Sequence, residues 1–305
     1  MRWFKRKAPA SRQEIARQLQ KTFGDPDASR VAPWVLPAIG FRDGELGSEP
    51  DTTGMTRFGG RPDLPDSLGW PVGPDGPLAF LGQVAINEVL ALDVDGVLPK
   101  QGLISFFFNI RNYAWGTDPS DRDKFAVVHS ADTRALRRQD FPDSMCDENR
   151  LMQVRRVTPY LRWELPTADP LAAKTLGVGD MPSVSEPARD VFTEKFWDLE
   201  WSLAKPHIPV GKHQLLGWAN GISAAYGPGC RRICEMCSRD PSTTEVGGRP
   251  SDADGSQWRC LLQVGSDRKL YNGTWADGGT IAFMIRDQDL HDSSFERCWC
   301  VLSSS

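Results

Sequence analysis

Residues 57–89 read RFGGRPDLPDSLGWPVGPDGPLAFLGQVAINEV, and residues 102–110 read GLISFFFNI. A Gly pair opens the stretch, a Pro-rich entry follows (Pro62, Pro65, Pro71), and two apolar segments close it. In Leu78 to Ile86 the larger apolar groups alternate (Leu78, Phe80, Val84, Ile86), and the positions between them are also mostly apolar. That pattern predicts a strand buried on both faces. Leu103 to Ile110 predicts a second strand. The same order recurs as HQLLGWA at 213–219, RCLLQVGSD at 259–267 and GGTIAFMI at 278–285. Leu81-Gly-Gln-Val84 matches Leu261-Leu-Gln-Val264, so the stretch reads as one unit used twice, over 57–110 and 213–302. Gly60 precedes Gln83 by 23 residues and Gly217 precedes Gln263 by 46, which places an insert in the second unit at about 224–257.

The chain has 305 residues, 40% hydrophobic and 25% charged, ordinary for a globular protein with one large core or two closely packed ones. No apolar run approaches the length of a membrane span, and the basic start MRWFKRKAPASRQE lacks the apolar stretch of a secretory signal. Seven cysteines, an odd number, fit a reduced, cytoplasmic protein better than a disulfide framework. The net charge of −4 is uneven: residues 1–22 hold seven basic groups against Glu14, a local +6, which leaves −10 for the rest. An acidic body argues against nucleic acid as the main ligand and fits a basic protein partner.

Ser11 and Glu14 form a capping box, and Ile15, Leu19 and Phe23 follow at helical spacing, so a helix is expected over roughly 12–23. With the basic tail it makes a first segment, 1–24, ahead of a body at 25–305. Trp3 and Phe4 among basic groups fit either an anionic membrane surface or aromatics packed on the body. Strands are expected at Val35–Phe41, Phe125–His129 and Val154–Leu165, and a helix is marked by Phe192, Phe196, Leu199 and Leu203. Asp93-Val-Asp95-Gly96 lacks the later oxygen ligands of a calcium loop and reads as a turn. Gln83 and Gln263 hold the same place in the two units, either as a repeated tie between strands or as a pair of ligand contacts.

RFGGRPDLP, GWP, LAFLGQV and GLISFFF in the first half, with HQLLGW, LLQVGSD, TWADGG, IAFMIRDQDL and FERCWCVL in the second, resemble the bacterial YwqG-like family of unknown function. The blocks fall in family order over roughly residues 35–305. The resemblance implies an α+β fold of mostly antiparallel sheets with a few helices, internally duplicated, and it implies no enzyme. Relatives that sit beside toxin and immunity genes make a toxin-binding immunity protein the expectation that comes with it.

Cys230-x3-Cys234-x2-Cys237 has the spacing of metal ligands on one loop. With Cys260 or His213 as the fourth, it predicts a structural zinc; a reduced surface loop is the alternative. Cys298 and Cys300 share one strand face as small hydrophobes, and Cys146 stands alone. No nucleophile elbow, phosphate loop, dinucleotide fingerprint or zinc-protease motif is present, so no catalytic residue is assigned. The best polar constellation is His213, Asp267, Asp277 and Asp289; it fits an acid/base or small-ligand site, or turn and cap duties. Trp218 and Trp275, each beside a Gly-containing loop of the second unit, are the expected anchors for a protein partner, with His213, Asp267 and Asp277 around them. The expectation is therefore a non-catalytic protein-binding module. An enzyme or small-ligand protein using the His213/Asp267/Asp277 region, or a zinc-stabilised scaffold, is the alternative.

Overall fold

A computed structural model describes residues 11–47, 49–145, 152–166, 174–178, 190–204, 213–219, 230–238, 255–268, 270–271 and 273–304. Cys146, His207, residues 1–10 and most of the expected insert lie outside the described residues. Strands run in chain order as β1 (Leu36–Leu46), β2 (Arg57–Phe58), β3 (Asp63–Pro65), β4 (Val72–Gly73), β5 (Gly76–Pro77), β6 (Ala79–Ala85) and β7 (Leu103–Phe108), then β8 (Phe125–Ser130), β9 (Leu136–Arg138), β10 (Arg155–Glu164), β11 (His213–Leu216), β12 (Trp258–Gly265), β13 (Thr280–Arg286) and β14 (Trp299–Ser303). The α-helices used below are α1 (Arg12–Phe23), α2 (Asp27–Val31), α3 (Ile86–Val89), α4 (Val191–Ala204), α5 (Cys230–Cys237) and α6 (Asp287–His291).

Ten strands form one sheet in the order β14-β13-β12-β11-β1-β10-β2-β6-β7-β8, with every neighbouring pair antiparallel. The sheet curls into a nearly closed, barrel-like shape. The Phe125 ring on one edge strand, β8, lies 5.7 Å from the Trp299 ring on the other, β14. A strap at 115–117 crosses the seam: Leu302 N donates to Trp115 O, and Trp299 Nε1 donates to Gly116 O at 2.9 Å. Gly116 has φ 79°, and a Cβ there would stand 2.2 Å from Cys300 O, so only glycine fits the crossing.

β6 and β7 are buried at every position, as a doubly covered strand requires. The inner face packs Phe41, Phe58, Phe106, Phe108, Leu262 and Phe283 into the largest core cluster. Over the sheet's centre, α1 is capped by Ser11 and buries Ile15, Leu19 and Phe23. It packs with α2 and α4 against Trp163. Helix spacing put those three residues on one stripe, and the stripe is what holds α1 to the body. Among the described residues no helix is long and apolar enough to cross a membrane.

Two bulges recur. β6 pairs with β7 with a break between Phe80 and Gly82, and β12 pairs with β13 with a break between Cys260 and Leu262. Gln83 lies opposite Arg57 of β2 and Ser105 of β7; Gln263 lies opposite Gln214 of β11 and Ala282 of β13.

Candidate functional site

The outer face of the β2–β6 side is closed by ion pairs. Arg57 and Asp63, both with 0% side-chain exposure, meet at 2.9 Å. Gln83 Nε2 donates to Asp63 Oδ2 at 2.7 Å and to Met55 O at 2.8 Å, while its Oε1 accepts from Asp63 N at 3.0 Å. Arg138 Nε adds a 3.0 Å bond to Asp63 Oδ1, and Glu49 pairs with Arg61 at 2.7 Å. Burial alone would push the Asp63 carboxyl up, but Arg57, then Gln83 and Arg138, outweigh it and hold it below the ordinary carboxylate range. Gln83 is thus a strand tie. The turn after β2, Gly59–Gly60 (φ 67° and 74°), is packed so closely that a Cβ on Gly59 would stand 2.1 Å from Gln153 O.

The β11–β12 side is built differently. Its turn reads Leu216–Gly217, with φ 61° and 76°, so a leucine holds a left-handed conformation that L residues disfavour. Glu164 Oε2 fixes the turn, accepting from Gln214 Nε2 at 2.7 Å and Trp218 N at 3.0 Å. Gln214 Nε2 also reaches Trp218 O at 2.9 Å. Gln263 Oε1 has no hydrogen-bond partner among the described residues.

Beyond this turn lies a cleft of about 360 Å³. Its wall is a ladder: Trp218 stacks on Trp34 with ring centroids 5.9 Å apart and planes at 17°, and the Arg231 guanidinium lies 4.3 Å over the Trp218 ring. Trp218 Nε1 donates to Trp34 O at 2.9 Å. Pro33, Pro37 and Trp258 continue the apolar lining. Charged pairs mark the rim: Asp95 takes two bonds from Arg12 at 2.6 and 2.9 Å, and Arg259 pairs with Asp287.

The structure brings His213 and Asp267 together and adds Arg155. Arg155 Nη1 and Asp267 Oδ2 are 2.7 Å apart, and His213 Nε2 is 3.8 Å from the same oxygen. Phe58 stacks on the imidazole at 4.5 Å. His213 is 1% exposed and neither ring nitrogen has a hydrogen-bond partner among the described residues, so the group is sealed inside the barrel. Arg155 carried no motif; only its place at the start of β10, across from Phe58, could have drawn it in. Asp277 does not join the group but lies exposed on the turn before β13, and Asp289 is buried in α6 against Arg297.

Two expectations are corrected by burial and helix geometry. Trp275 is 1% exposed and stacked on Tyr271 at 5.0 Å, so it is a core residue and offers nothing to a partner. Trp218 is 5% exposed and presents only part of its ring, to the cleft. The Cys230-Cys234-Cys237 segment is helix α5 and not a loop. Residues seven apart rise about 10 Å along a helix, too far for both end sulfurs to reach one ion at about 2.3 Å. These cysteines, with Cys260 and Cys300, are α5's apolar stripe and its landing site in the core. Cys237 Sγ donates to Thr117 O at 3.2 Å. Burial pushes the Cys234, Cys260 and Cys300 thiols well up, which keeps them protonated. Among the described residues no three His, Cys, Asp or Glu side chains gather as a metal site.

No curated protein matches the sequence. Over residues 56–303, most of the chain and both sides of the sheet, it matches the model of a family described as a domain of unknown function, DUF1963. The chain belongs to the DUF1963 family.

Proposed function

We propose that this protein works by binding another protein, without turnover, and that the cleft beside Leu216–Trp218 takes an extended segment of the partner. The observation that carries this reading is the Trp34–Trp218–Arg231 ladder, an aromatic and cationic wall with prolines beside it and charged pairs at its rim. Aromatic- and proline-lined grooves suit extended peptides, and Trp and Arg are the residues that concentrate interface energy. The strained Leu216 supports it too, since left-handed non-glycine residues persist where a site needs them. The resemblance to the YwqG-like family extends the reading to an immunity-type protein whose partner is a toxin. The equivalent bulges and glutamines support reading the two sides of the sheet as an internal duplication, with a cleft beside the second side's turn.

Affinity capture from the source cell with wild-type and Asp287→Lys baits tests this. Asp287 is exposed at the rim, so the variant keeps its fold. The wild type is expected to retain a partner that Asp287→Lys loses; equal retention by both contradicts the proposed face. A second reading, a small-ligand protein, rests on the unpartnered His213 nitrogens beside Asp267. A small molecule carried by wild-type but not His213→Ala protein would favour it.

A further inference from the structure

We infer that the partner's segment enters as a β-strand, filling a gap in the sheet between β1 and β12; this rests on the cleft being the binding face, as proposed above. Register is the first ground. β11 lies between β1 and β12, but its pairing stops at Leu216 opposite Ala38 and at Leu215 opposite Leu262. Past that level β12 runs on through Leu261 to Trp258, and β1 through Pro37 to Leu36. Neighbouring strands lie about 4.8 Å apart, so two strands that flank a missing one leave room for one backbone. The cleft's lining outlines this gap: Leu36 and Pro37 of β1, Trp258 and Arg259 of β12, and Leu216–Gly217 at the closed end.

The second ground is why β11 stops. Leu216 and Gly217, with φ 61° and 76°, turn the chain out of the sheet. Trp218 N then donates to Glu164 Oε2 at 3.0 Å, and Trp218 Nε1 to Trp34 O at 2.9 Å, which hold it there. The strained leucine thus keeps open a slot that a straight β11 would fill. Backbone direction is the third ground. Asp287 N donates to Gln257 O at 2.9 Å, so 257 and 287 form a hydrogen-bonded pair next to Trp258–Arg286. Alternation along an antiparallel strand then turns the peptide groups of Arg259 toward β13, and the Trp258 C=O and Cys260 N–H the other way, toward the gap. Trp258 N, on that same side, is taken up by Gly255 O. Among the described residues no strand lies opposite this side of 258–261. A segment running in the direction of β11 is antiparallel to both flanking strands, as every pair in this sheet is. In such additions main-chain bonds give affinity and alternate side chains give specificity, and proline is excluded where its N–H is needed.

Peptide selection tests the inference. A phage-displayed library of short random peptides is selected on the full chain and depleted on Asp287→Lys. The selected peptide is then synthesised with one backbone nitrogen methylated at a time, and each version is titrated into the wild type. The expected peptide is free of proline in its core and rich in β-branched and aromatic residues. Methylation should weaken it about three- to tenfold at alternate positions and little at those between. Proline-rich peptides, methylation losses that do not alternate, or no selected peptide would overturn strand insertion. If Asp287→Lys still loses the captured partner in that event, the cleft stands as the binding face and only the mode of entry fails.

Discussion

The turn after β2 and the turn after β11 sit at the same count from their glutamines, and they are built in opposite ways. Arg57 lies opposite Gln83 and Gln214 lies opposite Gln263; two residues on from each come Gly59 and Leu216. Gly59 is walled in by Gln153 and lies beside a buried ion-pair network in which Gln83 is bonded at both ends. Leu216 keeps a side chain in the left-handed region, and its turn faces a cleft. One side of the sheet is spent on stability, and the other carries strain and an opening. Strain of this kind persists where the surrounding structure over-determines it, as Glu164 does at the Leu216 turn.

The largest effect is expected at the closed side. Asp63→Ala leaves Arg57 buried without its carboxylate and should cost about 3–5 kcal/mol, measured by urea unfolding. The same network gives an acid limb. Because the folded Asp63 pKa lies below its ordinary value of about 3.9, its contribution is complete above that pH and is lost as pH falls through the lower folded value. Asp63→Asn should unfold with a shallower dependence over that acid range, and an unchanged slope would remove Asp63 from the account.

Gly59→Ala comes next. The added methyl meets Gln153 O in a left-handed backbone, and about 2–3 kcal/mol of lost stability is expected. At the open turn the usual order of substitutions should invert. Leu216→Ala keeps the strain and loses packing, whereas Leu216→Gly relieves the strain. Leu216→Gly should therefore be the more stable by about 1 kcal/mol, although glycine is normally the worse residue. If Leu216→Ala is the more stable, the strain is not real and the contrast between the turns weakens. The smallest effect is none: chelators should leave Tm unchanged, since the two ends of α5, Cys230 and Cys237, lie too far apart to share one ion.

Much of this contrast was legible in the sequence. Alternation and capping placed β6, β7, β8, β10, α1 and α4 within a residue or two, because each follows from local periodicity. Of the repeated tie expected at Gln83 and Gln263, Gln83 forms its half, whereas Gln263 Oε1 has no hydrogen-bond partner among the described residues. The cysteine segment was misplaced because C-x3-C-x2-C also has helix spacing, and only the packing of α5 on the core chooses between loop and helix. The Trp275 expectation failed on burial, which neighbouring residues cannot report. Arg155 was invisible because its partner Asp267 is 112 residues away. The strain at Leu216 was invisible too, since nothing in LLG marks which residue turns left-handed.

On the proposed function, the second side of the sheet receives the partner and the first does not. Photo-crosslinking measures this most directly. A photoreactive residue is placed at Asp287 on the cleft rim or, as the control, at Arg61 beside the closed turn. Each protein is then irradiated with the captured partner. A covalent adduct from position 287 and none from 61 is the expected result. Adducts from 61 alone would contradict it and move the binding face to the closed side.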